Sequence, residues 1–308
     1  MFVRWSKNPY RKLILAALTA GIFSAGCGQH YVLFHPAGPV GRQELHLMEL
    51  AAIAMGIVIA IVFALFVYVV IRFRDTPGNT APYRPDWNNH KLLEVLWWIG
   101  PAVLLTIIAI PTVSTIYRLD HLPKAKDPVV IDVTSLTWKW LFEYPGQKVA
   151  TVNYLEIPTG EPVLFKMTAD SPMNTLWIPQ LGGMEYTMPN RVLPLWLQAD
   201  KPGTYWGASG NYSGTGFEKM FFTVKAVSPS QFKQWTARVH ATASPMTMAD
   251  YQKLLKHDTM GQAFFGSYPT DTFPNEATGF TLTGGGMYMV MHGQHGSLSY
   301  SPMATTQR

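Results

Sequence analysis

Cysteine is nearly missing: Cys27 is the single thiol in 308 residues. One thiol excludes an intrachain disulfide framework and every metal site built from several cysteines. Charge is scarce as well. Asp, Glu, Lys and Arg make up 14% of the chain against 48% hydrophobic residues, a balance outside that of ordinary soluble domains. The net charge of +5 comes from scattered residues. No basic run is interleaved with aromatics, which argues against nucleic acid as a partner. No internal repeat is evident.

What the chain has in excess, apolar residues, is concentrated before residue 120. Arg4, Lys7, Arg11 and Lys12 precede the run "LILAALTAGIFSAG", the charged-then-hydrophobic layout of a secretory signal. Ser24, Ala25 and Gly26 then lead into Cys27. Small residues before a lone cysteine resemble a bacterial lipoprotein processing site, which predicts a signal peptide over 1–26 and a lipidated Cys27 at the mature N-terminus. Ser24 departs from that pattern, which more often has leucine there. The other reading of the segment is an uncleaved signal anchor.

After an outer segment over 27–49, two stretches are long and apolar enough to cross a bilayer, 50–71 and 92–117, since about 20 helical residues span the hydrocarbon. The connector over 72–91 carries Arg72, Arg74, Arg84 and Lys91, whereas 27–49 carries only Arg42. The positive-inside bias therefore puts the connector in the cytoplasm and both outer ends on the periplasmic or external side. That orientation agrees with an exported N-terminus. Pro101 and Pro111 fall inside the second span, where a missing backbone donor favours a kink. Glu94, in "HKLLEVLWWIGP", places a carboxylate at the interfacial entrance of the same helix. It is a candidate proton-handling group; the plainer reading is a solvated residue near the first-turn dipole.

From Val129 the pattern changes to short runs rich in β-branched and aromatic residues. "VVIDVT", "WKWLFEYP", "VATVNYLEI", "EPVLFKMTA", "RVLPLWLQA" and "KMFFTVKAV" each read as a strand, punctuated by turn signals such as "PTG" and "KPG". Val163, Phe165 and Met167 share one face, as do Leu193, Leu195 and Leu197. An extramembrane β-sandwich over 127–228 follows. A helical extension over 229–273 comes next, with Thr247 placed to cap a helix at "TMAD". The chain closes on a Gly-rich stretch, 274–308. Its Met287, Met289, Met291, His292 and His295 offer thioether and imidazole groups suited to soft copper ions; a flexible solvated tail is the other reading.

Several motifs together resemble subunit II of the haem–copper respiratory oxidases: "FHPAGPVGRQE", "HKLLEVLWWIGP", "TSLTWKWLFEYP", "NTLWIPQLG" and "YWGASGNYSGTGFEKM". The resemblance covers about residues 20–230. It implies a membrane α plus all-β protein: a two-helix transmembrane hairpin, a cupredoxin-like outer sandwich and a C-terminal helical and flexible tail. In the cytochrome c branch of that family a dinuclear copper centre is held by two cysteines, two histidines, a methionine and a backbone carbonyl. Carried onto this sequence, the cysteines fall at Ser209 and Ser213, the histidines at Asn174 and Phe217, the methionine at Met220, and the carbonyl at Asn211. Only Met220 keeps a ligand side chain. Hydroxyl and phenyl groups do not replace thiolate and imidazole for copper.

The branch without this centre is the quinol oxidases, so the resemblance implies a chain with no cofactor of its own. Haems, copper and the principal quinol-binding groups are then expected in a partner, subunit I, alongside further small membrane subunits. Glu94 matches a glutamate at the mouth of a proton pathway into subunit I. Trp138 and Trp140 match residues near the electron entry route of the copper-bearing branch; without copper, packing is their expected role. Two other classes stay open at this point. One is a membrane-tethered, non-redox binding or assembly module, and the other is a copper carrier using the Met/His tail.

Overall fold

The computed structural model describes residues 31–82, 85–86, 90–123, 127–170 and 172–273. Cys27 and the Met/His cluster at 287–295 lie outside the described residues. The first long helix, α1 (Pro39–Arg72), has Pro39 in its opening turn, where a missing N–H costs nothing. It starts well before the apolar run at Leu50. Its 34 residues measure about 51 Å, so the polar first turns extend beyond the ~30 Å hydrocarbon layer. The second helix, α2 (Lys91–Leu119), is capped by the His90 ring, which accepts from the Leu93 N–H at 3.3 Å. It runs on through Pro101 and Pro111. In α1 only Val40, Gly41 and Ala54 are buried, and in α2 no residue is. Helices apolar all round yet uncovered by the other described residues suit lipid or a membrane partner.

The outer domain is a two-layer sandwich. One sheet has six strands, β1 (Val129–Leu136), β2 (Lys139–Tyr144), β3 (Val149–Val152), β5 (Val163–Ala169), β8 (Leu193–Leu197) and β11 (Ala263–Phe265), in the order β11-β3-β2-β1-β5-β8. The other has five, β4 (Tyr154–Pro158), β6 (Asn174–Ile178), β7 (Gly182–Thr187), β9 (Gly203–Ser209) and β10 (Phe221–Val227), in the order β4-β10-β9-β6-β7. Pairing is antiparallel except for β1 with β5 and β4 with β10. Between the layers, Trp140 and Phe142 meet Phe222 at ring distances of 5.6 and 5.0 Å, and Val163, Phe165 and Met167 all point inward, fully buried.

Two features depart from the strand pattern of the sequence. "VATVNYLEI" is two strands in different sheets, because Asn153 sits at φ 53° and turns the chain between them. The ligand-like segments "NTLWI" and "GTYWGAS", with "GGMEYT", are strands β6, β9 and β7 of the second sheet.

Beyond the sandwich, α3 (Pro229–Thr242) starts at a Ser228/Gln231 capping box and packs Phe232 and Trp235 against Tyr144. Thr247 caps α4 (Met248–Leu254), with Asp250 completing the box. The extension is not wholly helical: β11 pairs with β3 and widens the first sheet.

Both helices reach the sandwich by one end. The N–H groups of Ala37 and Gly41 donate to Gln180 and Leu181 at 2.6 and 3.0 Å, and Arg42 pairs with Asp200. Val40 is part of the sandwich core. At the far end of α2, the Trp196 indole donates to the Leu119 carbonyl at 2.6 Å. The start of α1 and the end of α2 therefore lie beside the sandwich, and Arg72, Lys91 and Glu94 lie at the opposite end.

Candidate functional site

Strand β9 ends at Ser209, a loop over 210–216 follows, and a single 3-10 turn, Phe217–Lys219, leads into β10. The loop is shaped around Trp138. This indole donates to the Ser213 carbonyl at 3.1 Å. A Cβ at Gly216 would sit 2.3 Å from Trp138 Cδ2, so only glycine admits the ring. Met220 is buried in the core, and its carbonyl accepts from the Ser209 N–H at 3.2 Å.

The positions that resemble copper ligands are brought together here, and several of them are bonded to one another. Asn174 is fully buried at the start of β6. Its amide nitrogen donates to the Pro172 carbonyl at 3.0 Å and to Ser135 Oγ at 3.4 Å. Its amide oxygen lies 3.1 Å from the Ser209 hydroxyl, which also reaches the Asn211 carbonyl at 3.2 Å. Thr187 Oγ1 donates to Ser135 Oγ at 2.8 Å. Ser135, Asn174, Thr187 and Ser209 thus tie β1, β6, β7 and β9 together. The Phe217 ring meets Tyr212 edge-on at 5.7 Å. Ser213 holds a buried hydroxyl with no hydrogen-bond partner among the described residues.

This donor set does not fit a dinuclear copper centre. Its soft ligand is one thioether, the Asn174 amide is engaged with the Ser209 hydroxyl, the Ser213 hydroxyl is a hard donor, and the phenyl ring has no lone pair. Among the described residues no group of three or more His, Cys, Asp or Glu side chains is arranged to hold a metal.

The remaining candidates stand apart from this loop. Glu94 is exposed in the first turn of α2, with Trp97 and Trp98 exposed on the turn that follows. From Glu94 to Leu119 the helix rises about 37 Å, so the carboxylate and the sandwich are a membrane thickness apart. Trp140 is wholly buried in the sandwich core, and Trp138 is half-buried under the loop. Both therefore pack.

Two ionisable residues of β2 were not singled out by motif. Lys139 and Glu143 alternate with inward-facing Trp140, Phe142 and Tyr144, which by pattern alone sends them to solvent. Both are buried instead. Lys139 Nζ donates to the carbonyls of Leu254 and Lys256 at 3.0 and 2.8 Å. Burial lowers the pKa of Lys139 and raises that of Glu143 to about 8. Only the fold of the extension reveals them.

The transmembrane domain of cytochrome C oxidase subunit II matches residues 31–115. Quinol oxidase subunit 2 of Bacillus cereus is 41% identical over 85% of this chain and 91% of its own length. The Bacillus subtilis quinol oxidase subunit 2 is 38% identical, over 83% of this chain and 80% of its own. The cytochrome bo(3) ubiquinol oxidase subunit 2 of Pseudomonas aeruginosa is 33% identical over 97% and 90%. Among solved structures, the periplasmic domain of subunit II of cytochrome oxidase from Bradyrhizobium japonicum aligns with 38% of this chain and 96% of its own, at 19% identity and a TM-score of 0.36. On the identity and coverage of these relatives, the chain belongs to the quinol oxidase subunit 2 family.

Proposed function

We propose that the chain is the lipid-anchored second subunit of a proton-pumping terminal oxidase that takes electrons from a membrane quinol and reduces oxygen to water. In this reading it holds the complex together and leads protons in at Glu94, while haems, copper and quinol bind to a partner, subunit I. The observation that carries the electron-donor assignment is the bonded set Ser135–Asn174–Thr187–Ser209. Asn174 and Ser209, two of the positions where copper ligands would stand, are bonded to each other and held by Ser135 and Thr187, which argues against an entry port for electrons from a soluble cytochrome c. The names of the relatives, quinol and ubiquinol oxidase subunit 2, support quinol as the donor.

Membership of a larger complex is supported by surface composition. On the outer face of the second sheet, Met184, Tyr186, Trp206 and Phe221 are exposed, and the register aligns Met184, Trp177, Ala208 and Phe221 across four strands. Aromatics and methionine are the residues enriched where protein surfaces meet. Cys27, with Ser24, Ala25 and Gly26 before it, supplies the proposed lipid anchor. Arg72 and Lys91 stand at the end of the hairpin remote from the sandwich, and a basic connector at that end supports an outer position for the sandwich.

The test is oxygen uptake by the purified complex, with quinol compared against reduced cytochrome c. Quinol alone should sustain turnover; turnover with cytochrome c alone overturns the assignment. Haem in the same preparation separates an oxidase subunit from a free-standing membrane module.

A further inference from the structure

The face of β2 that carries Lys139, Leu141 and Glu143 points away from the sandwich core, yet Lys139 is 2% exposed and Glu143 0%. The chain covers this face itself, with the segment 246–273. Met246, Tyr251, Leu254, Phe265 and Tyr268 pack over Leu136, Leu141, Ala150 and Val152. At one end Lys139 clamps the carbonyls that close α4. At the other end Thr272 Oγ1 donates to Glu143 Oε1, and the Tyr251 hydroxyl donates to the Thr272 carbonyl at 3.1 Å.

Glu143 is poorly provided for as an anion. Its Oε2 is buried without a hydrogen-bond partner among the described residues. Asp132 lies directly opposite on β1 and adds like charge. The other titratable groups on this side include Lys166, which stands opposite Asp132 on β5 one strand farther from Glu143, Tyr251 from α4, Tyr268 from the loop after β11, and Asp170 after β5, which bears on Tyr251; Asp258 acts on Lys139 at the far end. Lys139, on β2 itself, is spent on the two carbonyls at the far end. A carboxyl enclosed with a hydroxyl donor and a neighbouring carboxylate is far better accommodated neutral than charged.

We propose that residues 246–273 form a strap over the first sheet that is seated while Glu143 holds its proton and opens with release of that proton to solvent. The strap thereby makes the C-terminal part of the outer domain sensitive to pH. Burial raises the Glu143 pKa from 4.5 to about 8. The stabilisation of the seated strap is thus complete below 4.5, declines as pH rises, and is gone once pH passes about 8. Tyr251, pushed up to about 12, and Tyr268, also raised, stay neutral throughout that window.

The test is hydrogen exchange of peptides from 246–273 in the purified complex, corrected for the intrinsic pH dependence of exchange, with α3 peptides as internal reference. The strap-opening constant should rise about tenfold per pH unit up to about 8 and level off above it, while α3 shows no such profile. In Glu143→Gln, which cannot ionise, the profile should be flat. Should that variant not fold, Glu143→Leu serves the same purpose. A wild-type strap whose protection does not change between about pH 6 and 9, or a Gln or Leu variant that keeps the wild-type slope, overturns the proposal.

Discussion

Glu94 is the residue on which the proposed proton entry rests. It stands in the first turn of α2, exposed, at the end of the hairpin remote from the sandwich. Substituting Glu94→Gln keeps the size and polarity of the side chain and removes its titration. Slower turnover and proton uptake are expected, with quinol affinity and subunit assembly unchanged, measured on the reconstituted complex. Wild-type pumping in that variant would remove Glu94 from the pathway. The loop tells a different story about what one residue reveals. That Asn174, Ser209 and Phe217 are unfit for copper is a matter of side-chain chemistry and is legible from the sequence. That Asn174 bonds to Ser209 is not, because it requires the pairing of β6 with β9, which sets Leu176 opposite Ser209. Glu143 was hidden for a similar reason: alternation reports the face of a strand, not what later covers that face.

Among the elements, the helices were the plainest, since a long uninterrupted apolar run has few other solutions. The start of α1 was not visible. Arg42, Gln43, Glu44, His46 and Glu49 look like a loop until the sandwich is there to receive the extra turns. The strands were harder to delimit, and Asn153 shows why. No apolar period marks it, yet it switches the chain from one sheet to the other at φ 53°. Its side chain accepts from the Trp140 N–H at 2.9 Å and donates to the Met260 carbonyl at 2.8 Å, linking β2, the turn and the strap. Replacing it with Gly or Ala removes both bonds, but only Ala also meets the left-handed penalty of an L-residue. Asn153→Ala should therefore be less stable than Asn153→Gly by about 1 kcal/mol, read from denaturant midpoints of the full chain. Equal midpoints would show that the turn relaxes away from its positive φ.

At the scale of the whole molecule, the hairpin and the sandwich are joined by packing and not by a loose linker. The chain puts its two junctions, α1 through Ala37–Arg42 and α2 through Leu119, at the end of the hairpin remote from Arg72 and Lys91. The seat of the first junction is narrow. Val40 enters the sandwich core against Gly182, which adopts φ +146° and where a Cβ would lie 2.5 Å from Val40 Cγ1. Gly182→Ala should displace α1 from its seat at a cost on the order of 1–3 kcal/mol. In the full chain this would be seen as a lower unfolding temperature and faster proteolysis around residues 36–42. Pairing it with Val40→Ala removes the clash but leaves the strained φ and a smaller core, so the double variant should recover only part of the loss. A single variant that unfolds and is cleaved like wild type would mean that Val40 moves aside freely. The sandwich would then be held to the helix mainly by the Ala37 and Gly41 hydrogen bonds and the Arg42–Asp200 pair.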